Sequence, residues 1–466
     1  MKFKRKAIEV LSSNIFENDK LQRKESVSNL VELLKNISSP VVFSINAPWG
    51  AGKTTYLRML HSSLEFESKK TIYFSAWETD FAADPLLAFL GEINLKVSSF
   101  IGGDTEKIKA WAKAKKAGSQ ILKRAIPVAI KIGTAGLVDT DELLGDETAK
   151  FAEALSGDAI EGYLVNKSAI VEFKENIAKV VGGEDGVNEK LYIFVDELDR
   201  CRPTYAIELL ERIKHLLDVE GLVFVLALDK IQLAHSVKAI YGSEFDAVGY
   251  LKRFIDVEFS LPPSDIEPYI DYLASDFELG KFFEVVLDRD AGRQFDDLLT
   301  AMKVIAVGQK MSLRTIEQLF SKVKLVLLSI PRNNYVYPEL VVYLLYVKDN
   351  YLEDYLLFSR KDSNGDGLID LMGSIIVSDD NAAQYLKQDI HALIIACKMQ
   401  EHSDWARDLL RTMSSIAASE KTPDDYSRYN SRVVDLVRHY TSMGRGVPLE
   451  RIISRVDMVG NFNFDR

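Results

Sequence analysis

At 466 residues the chain is longer than a single hydrophobic core organises, so two or three domains are expected. Its formal net charge of −11 argues against a general coating role on nucleic acid, though a local basic patch stays compatible with it. Two cysteines, Cys201 and Cys397, are too few for a disulfide framework or a cysteine-rich zinc site and suit a reducing cytoplasm.

The basic start Met1-Lys2-Phe3-Lys4-Arg5-Lys6 is followed by a segment without the long uncharged apolar run of a signal peptide. No stretch reaches about 18 apolar residues without charge, so no spanning helix is expected. Residues 1–40 read as a lead-in. Within it Val27, Leu30, Val31, Leu33 and Leu34 recur at helical spacing, and this helix is expected to pack beside the first strand.

Val41 to Asn46 is that strand, apolar and β-branched as a buried parallel strand requires. It runs into Ala47-Pro48-Trp49-Gly50-Ala51-Gly52-Lys53-Thr54-Thr55, which reads as a phosphate-binding loop opening a helix. Gly50 and Gly52 let backbone N–H groups turn toward an anion, Lys53 reaches the β/γ-phosphates, and the Thr54 hydroxyl holds Mg²⁺. The pattern would place glycine at Ala47, and alanine is tolerable there only at negative φ.

A second strand is expected at 71–76, leaving through Trp77-Glu78, with a helix from Pro85. Residues 81–190 are too long for a simple connection and read as a mostly helical insert. Inside it, 107–131 is strongly basic, and no acid falls between Glu106 and Asp139. Trp111, Ile121, Leu122 and further apolar residues interleave with the lysines. Two readings stay open: a solvated amphipathic helix pair packed on the core, or a surface for nucleic acid or an anionic membrane.

The third strand, Leu191 to Val195, runs straight into Asp196-Glu197-Leu198-Asp199-Arg200, and a helix follows from Pro203. Strand four, 222–228, ends at Asp229, and strand five, 256–261, is stopped by Pro262-Pro263. Residues 264–330 read as a helical lid and 331–466 as a C-terminal helical domain. In the latter, Asp362 to Asp370 matches the first nine positions of a calcium loop, but Gly373 stands where the bidentate Glu belongs. A polar turn between helices is the favoured reading there.

Asp196 and Glu197 leave a buried strand at the C-terminal edge of the sheet, where open α/β sheets bind ligands. Asp196 is placed to hold Mg²⁺ opposite Thr54, and Glu197 to orient the attacking water. Because strand 71–76 intervenes between loop strand and acidic strand, the order points to the additional-strand class of P-loop ATPases. Asp229 then stands where a γ-phosphate sensor belongs, or it caps the next helix. Arg253 and Arg314 are candidates for positive charge at the γ-phosphate, with surface salt bridges as the alternative.

The ensemble resembles the KAP family of P-loop NTPases over roughly residues 15–330. The matching pieces are Ala47 to Thr54, Phe74-Ser75-Ala76-Trp77-Glu78, Asp196-Glu197-Leu198-Asp199-Arg200-Cys201-Arg202-Pro203, Phe224 to Asp229 and Tyr250 to Pro263. That resemblance implies ATP rather than GTP, Lys53 and Thr54 at phosphate and Mg²⁺, Asp196 at the metal and Glu197 at the water. Arg314, in Ser312-Leu313-Arg314, looks like the family's lid arginine. Many members carry transmembrane helices where this insert has none, and their usual second acid is Asp rather than Glu197. Bacterial members include components of anti-phage defence, such as the ATPase of Qat-type operons.

The expected architecture is therefore α/β: a P-loop core from residues 1–80 and 191–263 with a parallel five-stranded sheet, the helical insert, the lid and the C-terminal helices. The expected function is a cytoplasmic, Mg²⁺-dependent ATPase that switches conformation or assembly with partner proteins, a homo-oligomer being compatible with it. Two alternatives stand beside it: a nucleotide-bound scaffold with slow hydrolysis, and a nucleic-acid- or membrane-associated ATPase using residues 107–131.

Overall fold

The computed structural model describes residues 10, 14–82, 84–134, 157–182, 189–284, 291–331, 336–360, 363–419, 423–442 and 449–462. The chain forms two compact units, one made chiefly of Arg23–Pro263 and the other chiefly of Ser264–Arg466. The boundary falls on Pro262-Pro263, where two successive residues lack the N–H needed to extend the preceding strand.

The first unit holds five strands: β1 (Val41–Asn46), β2 (Lys70–Ser75), β3 (Leu191–Asp196), β4 (Leu222–Leu228) and β5 (Val257–Ser260). All pair in parallel in the order β2-β3-β4-β1-β5. The acidic strand β3 is thus separated from the loop strand β1 by β4, while β2, which lies between them in sequence, is at the edge of the sheet. In register, Ser75 lies beside Asp196 and Asn46 beside Leu228, so the strand exits share one edge.

Alternation along each strand sends successive side chains to opposite faces, and both faces are covered. On one face, Phe43, Ile45, Tyr192, Phe194 and Val225 pack under α1 (Lys24–Asn36) and α2 (Lys53–Phe66). On the other, Ile72, Phe74, Ile193, Val195, Phe224 and Leu226 pack under α3 (Pro85–Ile101), α4 (Thr105–Thr134), α5 (Gly157–Val181), α6 (Pro203–Leu216), α7 (Lys230–Tyr241) and α8 (Ala247–Leu251). Each fully buried side chain of this size contributes about 1.5–3 kcal/mol, which is why β3 and β4 read as unbroken apolar runs. Helix α1 buries Val27, Leu30, Val31 and Leu34 as expected, while Leu33 turns outward and is 46% exposed.

The insert is helical where it is described, and α4 runs against α5. Helix α4 buries Ala110, Trp111, Ala114, Ala117 and Ile121, and presents Lys109, Lys113, Lys115 and Lys116 to solvent. Lys109 pairs with Glu106, and Lys115 donates to Asn94 while lying over the Trp111 ring. This half of the basic stretch is amphipathic and packed on the core. The side chains of Lys123, Arg124 and Lys131 lie outside the described residues.

In the second unit the helices are α9 (Glu267–Asp276), α10 (Gly280–Glu284), α11 (Ala291–Gly308), α12 (Leu313–Ser329), α13 (Pro338–Asn350), α14 (Leu352–Phe358), α15 (Asp366–Ile375), α16 (Asn381–Gln400), α17 (Asp404–Ala417), α18 (Asp424–Ser442) and α19 (Leu449–Gly460). One apolar core runs from Tyr269 to Val459, so the division expected at residue 330 falls inside it. Helix α13 lies at its centre, with every residue from Pro338 to Val347 buried. Among the described residues no helix is long and apolar enough to cross a membrane.

Gly221 precedes β4 at φ +90, and an added Cβ would sit 2.7 Å from Val181 Cγ1 and 3.2 Å from the Glu189 carbonyl. Gly221→Ala is therefore expected to cost about 2–3 kcal/mol, read as a lowered midpoint in urea unfolding of the purified chain.

Candidate functional site

The loop after β1 begins by extending the sheet, because Ala47 N–H still donates to the Leu228 carbonyl at 3.2 Å. Ala47 is absent from the residues with positive φ, so its methyl meets no backbone penalty and the missing glycine is explained. Gly50 and Gly52 are the residues that turn the chain, at φ 79 and 81. Gly52 is also the N-cap of α2, and no side chain caps that helix. Its first-turn N–H groups are therefore available to an anion, as a phosphate requires.

Arg23 braces this loop from the other side. Its guanidinium donates to the carbonyls of Ala51 at 2.9 Å and Gly52 at 3.5 Å, and the residue is 8% exposed. A planar peptide holds its C=O and N–H antiparallel, so fixing these two carbonyls aims the N–H groups of Gly52 and Lys53 the opposite way.

Lys53 is folded back and 9% exposed. Its ammonium donates to Ala47 O at 2.7 Å and Pro48 O at 3.3 Å, and stands 3.6 Å from Asp199 Oδ2. Burial lowers its pKa, and the charges of Asp199 and Asp229 oppose that shift.

Asp199 is the centre of the cluster and was not expected from sequence. It lies in the short 3-10 turn Leu198–Arg200 after β3 and is 6% exposed. Oδ2 accepts from the Trp49 indole Nε1 at 2.8 Å and from the backbone of Asp229 at 2.8 Å. Asp229 in turn accepts from Trp49 N at 3.2 Å through one oxygen and caps α7 through the other, from Ile231 N and Gln232 N. Asp229 therefore performs the capping role and also ties the loop backbone to the end of β4.

Asp196 is 2% exposed and accepts from Tyr73 Oη at 2.6 Å and from Glu197 N at 2.9 Å. Burial, then the neighbouring Asp196 charge, raises the Tyr73 pKa, so the phenol stays a donor. Glu197 adopts the left-handed region at φ 61, which few residues other than glycine accept without cost. Its carboxylate takes a hydrogen bond from Ser75 Oγ at 3.2 Å and an ion pair from Arg200. Thr54 and Thr55 are half-buried in the first turn of α2.

The structure thus gathers Trp49, Gly50, Ala51, Gly52, Lys53, Thr54, Asp196, Glu197 and Asp229 at the C-terminal edge of the sheet. Arg253 is exposed in the turn after α8, where its N–H donates to Tyr250 O. Arg314 is exposed in the first turn of α12 and belongs to the other unit. The calcium-like stretch is a helix start: Asp366 begins α15 and its two oxygens accept from Asn364 and from the Trp405 indole. Asp362 lies outside the described residues.

A family model described as the KAP family P-loop domain matches residues 23–330. The chain belongs to that family. No curated protein sequence matches it. Among solved structures, a DNA replication initiation factor is 12% identical with a TM-score of 0.28, covering 92% of this chain and 99% of that one. AMPPCP-bound DnaA from Aquifex aeolicus is 14% identical with a TM-score of 0.28, covering 92% and 98%. The loop that Arg23 and Asp199 hold lies within the matched KAP P-loop domain.

Tyr73 and Ser75 share the side-chain parity of Phe194 and Asp196 on the paired strand β3, a signal that the alternation of β2 already carried. Asp199→Ala removes the acceptor shared by Trp49 and Asp229 and leaves Lys53 without its nearest carboxylate. It is expected to cost about 3–4 kcal/mol in denaturant unfolding, whereas Asp199→Asn keeps an acceptor and is expected to cost about half as much.

Proposed function

We propose that the chain binds ATP with Mg²⁺ and hydrolyses it slowly until a partner rearranges the site, so that the nucleotide cycle acts as a conformational or assembly switch. The observation that carries this reading is the double pairing of the two groups the chemistry needs: Lys53 against Asp199 and two loop carbonyls, and Glu197 against Arg200 and Ser75.

The residues fit the group. The uncapped N-terminus of α2 offers N–H donors to the β-phosphate, and Lys53 would leave the Ala47 and Pro48 carbonyls to meet the β/γ-phosphates. The Thr54 hydroxyl and Asp196 are the residues that would hold Mg²⁺, with Tyr73 fixing the Asp196 carboxylate. When bound, the metal supplies charge neutralisation for the phosphates. Glu197 would orient the attacking water and accept its proton once Arg200 lets go. Arg253 and Arg314 remain the proposed sources of positive charge at the γ-phosphate. The scaffold alternative draws on the same observation, since a site held in these pairings turns over slowly.

A cytoplasmic setting, partner proteins or further copies of the chain, and a place in anti-phage defence follow from the family resemblance and belong to this proposal. The basic stretch 107–131 remains a proposed surface for nucleic acid or membrane.

Steady-state phosphate release from the purified chain tests the reading. Lys53→Ala is expected to lose nucleotide binding, and Glu197→Gln to keep binding while turnover falls by about a hundredfold or more. Arg200→Ala, which frees Glu197, is expected to raise basal turnover severalfold. Unchanged turnover in both Lys53→Ala and Glu197→Gln would sink the enzyme reading.

A further inference from the structure

The second unit contains a cavity of about 710 Å³ among helices α11, α13, α16 and α18, a size that suits a small organic ligand. Three carboxylates line it, Asp297, Glu339 and Asp389, together with Arg293, Arg428 and Arg432. The two signs are not mixed evenly. Glu339 is only 4% exposed, and its Oε2 is buried with no hydrogen-bond partner among the described residues. Gln388 also lines the cavity, and its Oε1 is a second buried acceptor without a partner among the described residues. The arginines sit outward: the Arg293 side chain is 61% exposed and stands 3.9 Å from Asp297, and that of Arg428 is 75% exposed beside Asp424 and Asp425.

We propose that this cavity binds a small organic cation, an alkylguanidinium or alkylammonium group that enters toward Glu339, Asp297 and Asp389 and carries a carboxylate toward the rim arginines. Two buried acceptors without donors, on side chains that line an acidic pocket, call for a ligand head that donates several hydrogen bonds and bears positive charge. A bare metal ion does not meet this need, because among the described residues no three His, Cys, Asp or Glu converge to hold one. Burial pushes Glu339 up to about 8, with Asp297 and Asp389 adding to it, and burial raises Asp297 to about 6 despite Arg293 beside it. Burial likewise raises Asp389, which Arg432, Tyr440 and Arg293 pull back down. An incoming cation would replace the proton on Glu339. This inference stands apart from the nucleotide reading and does not fail with it.

Isothermal titration of the full chain with L-arginine, agmatine and L-citrulline tests it. L-arginine is expected to bind, agmatine to bind more weakly for want of the carboxylate, and citrulline, of the same shape without charge, to give no heat. Glu339→Gln and Asp389→Asn are each expected to weaken arginine by about tenfold or more. If Glu339→Gln fails to fold, Asp389→Asn decides. Agmatine affinity is expected to rise between about pH 6.5 and about pH 8.5 as Glu339 ionises facing Asp297, Asp389, Arg293, Arg428 and Arg432, and to lose that dependence in Glu339→Gln. Equal binding of arginine and citrulline, full affinity in both variants, or no binding of arginine or agmatine at roughly millimolar concentration overturns the proposal. Equal binding of agmatine and arginine overturns the role given to the rim arginines.

Discussion

One buried carboxylate oxygen organises the loop after β1 and its surroundings. Asp199 Oδ2 meets the Trp49 indole, the Asp229 amide and, at longer range, the Lys53 ammonium. These groups belong to the phosphate loop, the start of α2 that directly follows it, and the end of β4, which lies 180 residues from Trp49. A charged acceptor in a poorly solvated place makes strong hydrogen bonds and is costly to leave unpaired, so the three elements are held in one arrangement. The same oxygen keeps the loop lysine at home. Phosphate binding must therefore compete with an internal partner rather than fill an idle site.

Arg23 and Tyr73 complete the frame from two sides. Arg23 fixes loop carbonyls and so aims loop amides, while Tyr73 fixes the carboxylate of Asp196. Glu197 stands apart from this frame. It sits in a left-handed conformation and is held by an exposed arginine and a serine, a looser arrangement than the buried acids beside it. Of the groups proposed to position phosphate and metal, Lys53 and Asp196 are buried, and the group proposed to act on water is paired with an exposed arginine.

Much of the fold was readable. The runs at 41–46, 191–196 and 222–228 are apolar strands because both faces of the sheet are covered, so a parallel five-stranded sheet was readable, whereas the strand order came from the structure. The placing of Trp49 to Thr55, Asp196, Glu197 and Asp229 at one edge of the sheet was readable because loop, helix start and strand exit have local signatures. Leu33 was misplaced, since helical spacing sets which residues share a stripe but its edge is decided by the neighbour it meets. The continuous core from Tyr269 to Val459 was not readable either, because caps and prolines such as Ser312, Pro338 and Asp380 mark where helices begin, not which helices share a core.

The sequence by itself determined the chemistry available: a loop with two turning glycines and a lysine, two acids ending a buried strand, and enough periodic apolar residues to build a covered parallel sheet. Local spacing is sufficient for those conclusions, because each depends on residues a few positions apart. Only the tertiary structure decided which acid holds the lysine, that Arg23 lies under the loop, and that Glu339 reaches a cavity with a carboxylate oxygen unpaired. Those facts rest on contacts between segments tens to hundreds of residues apart, and burial then sets their strength by removing the water that would otherwise screen them.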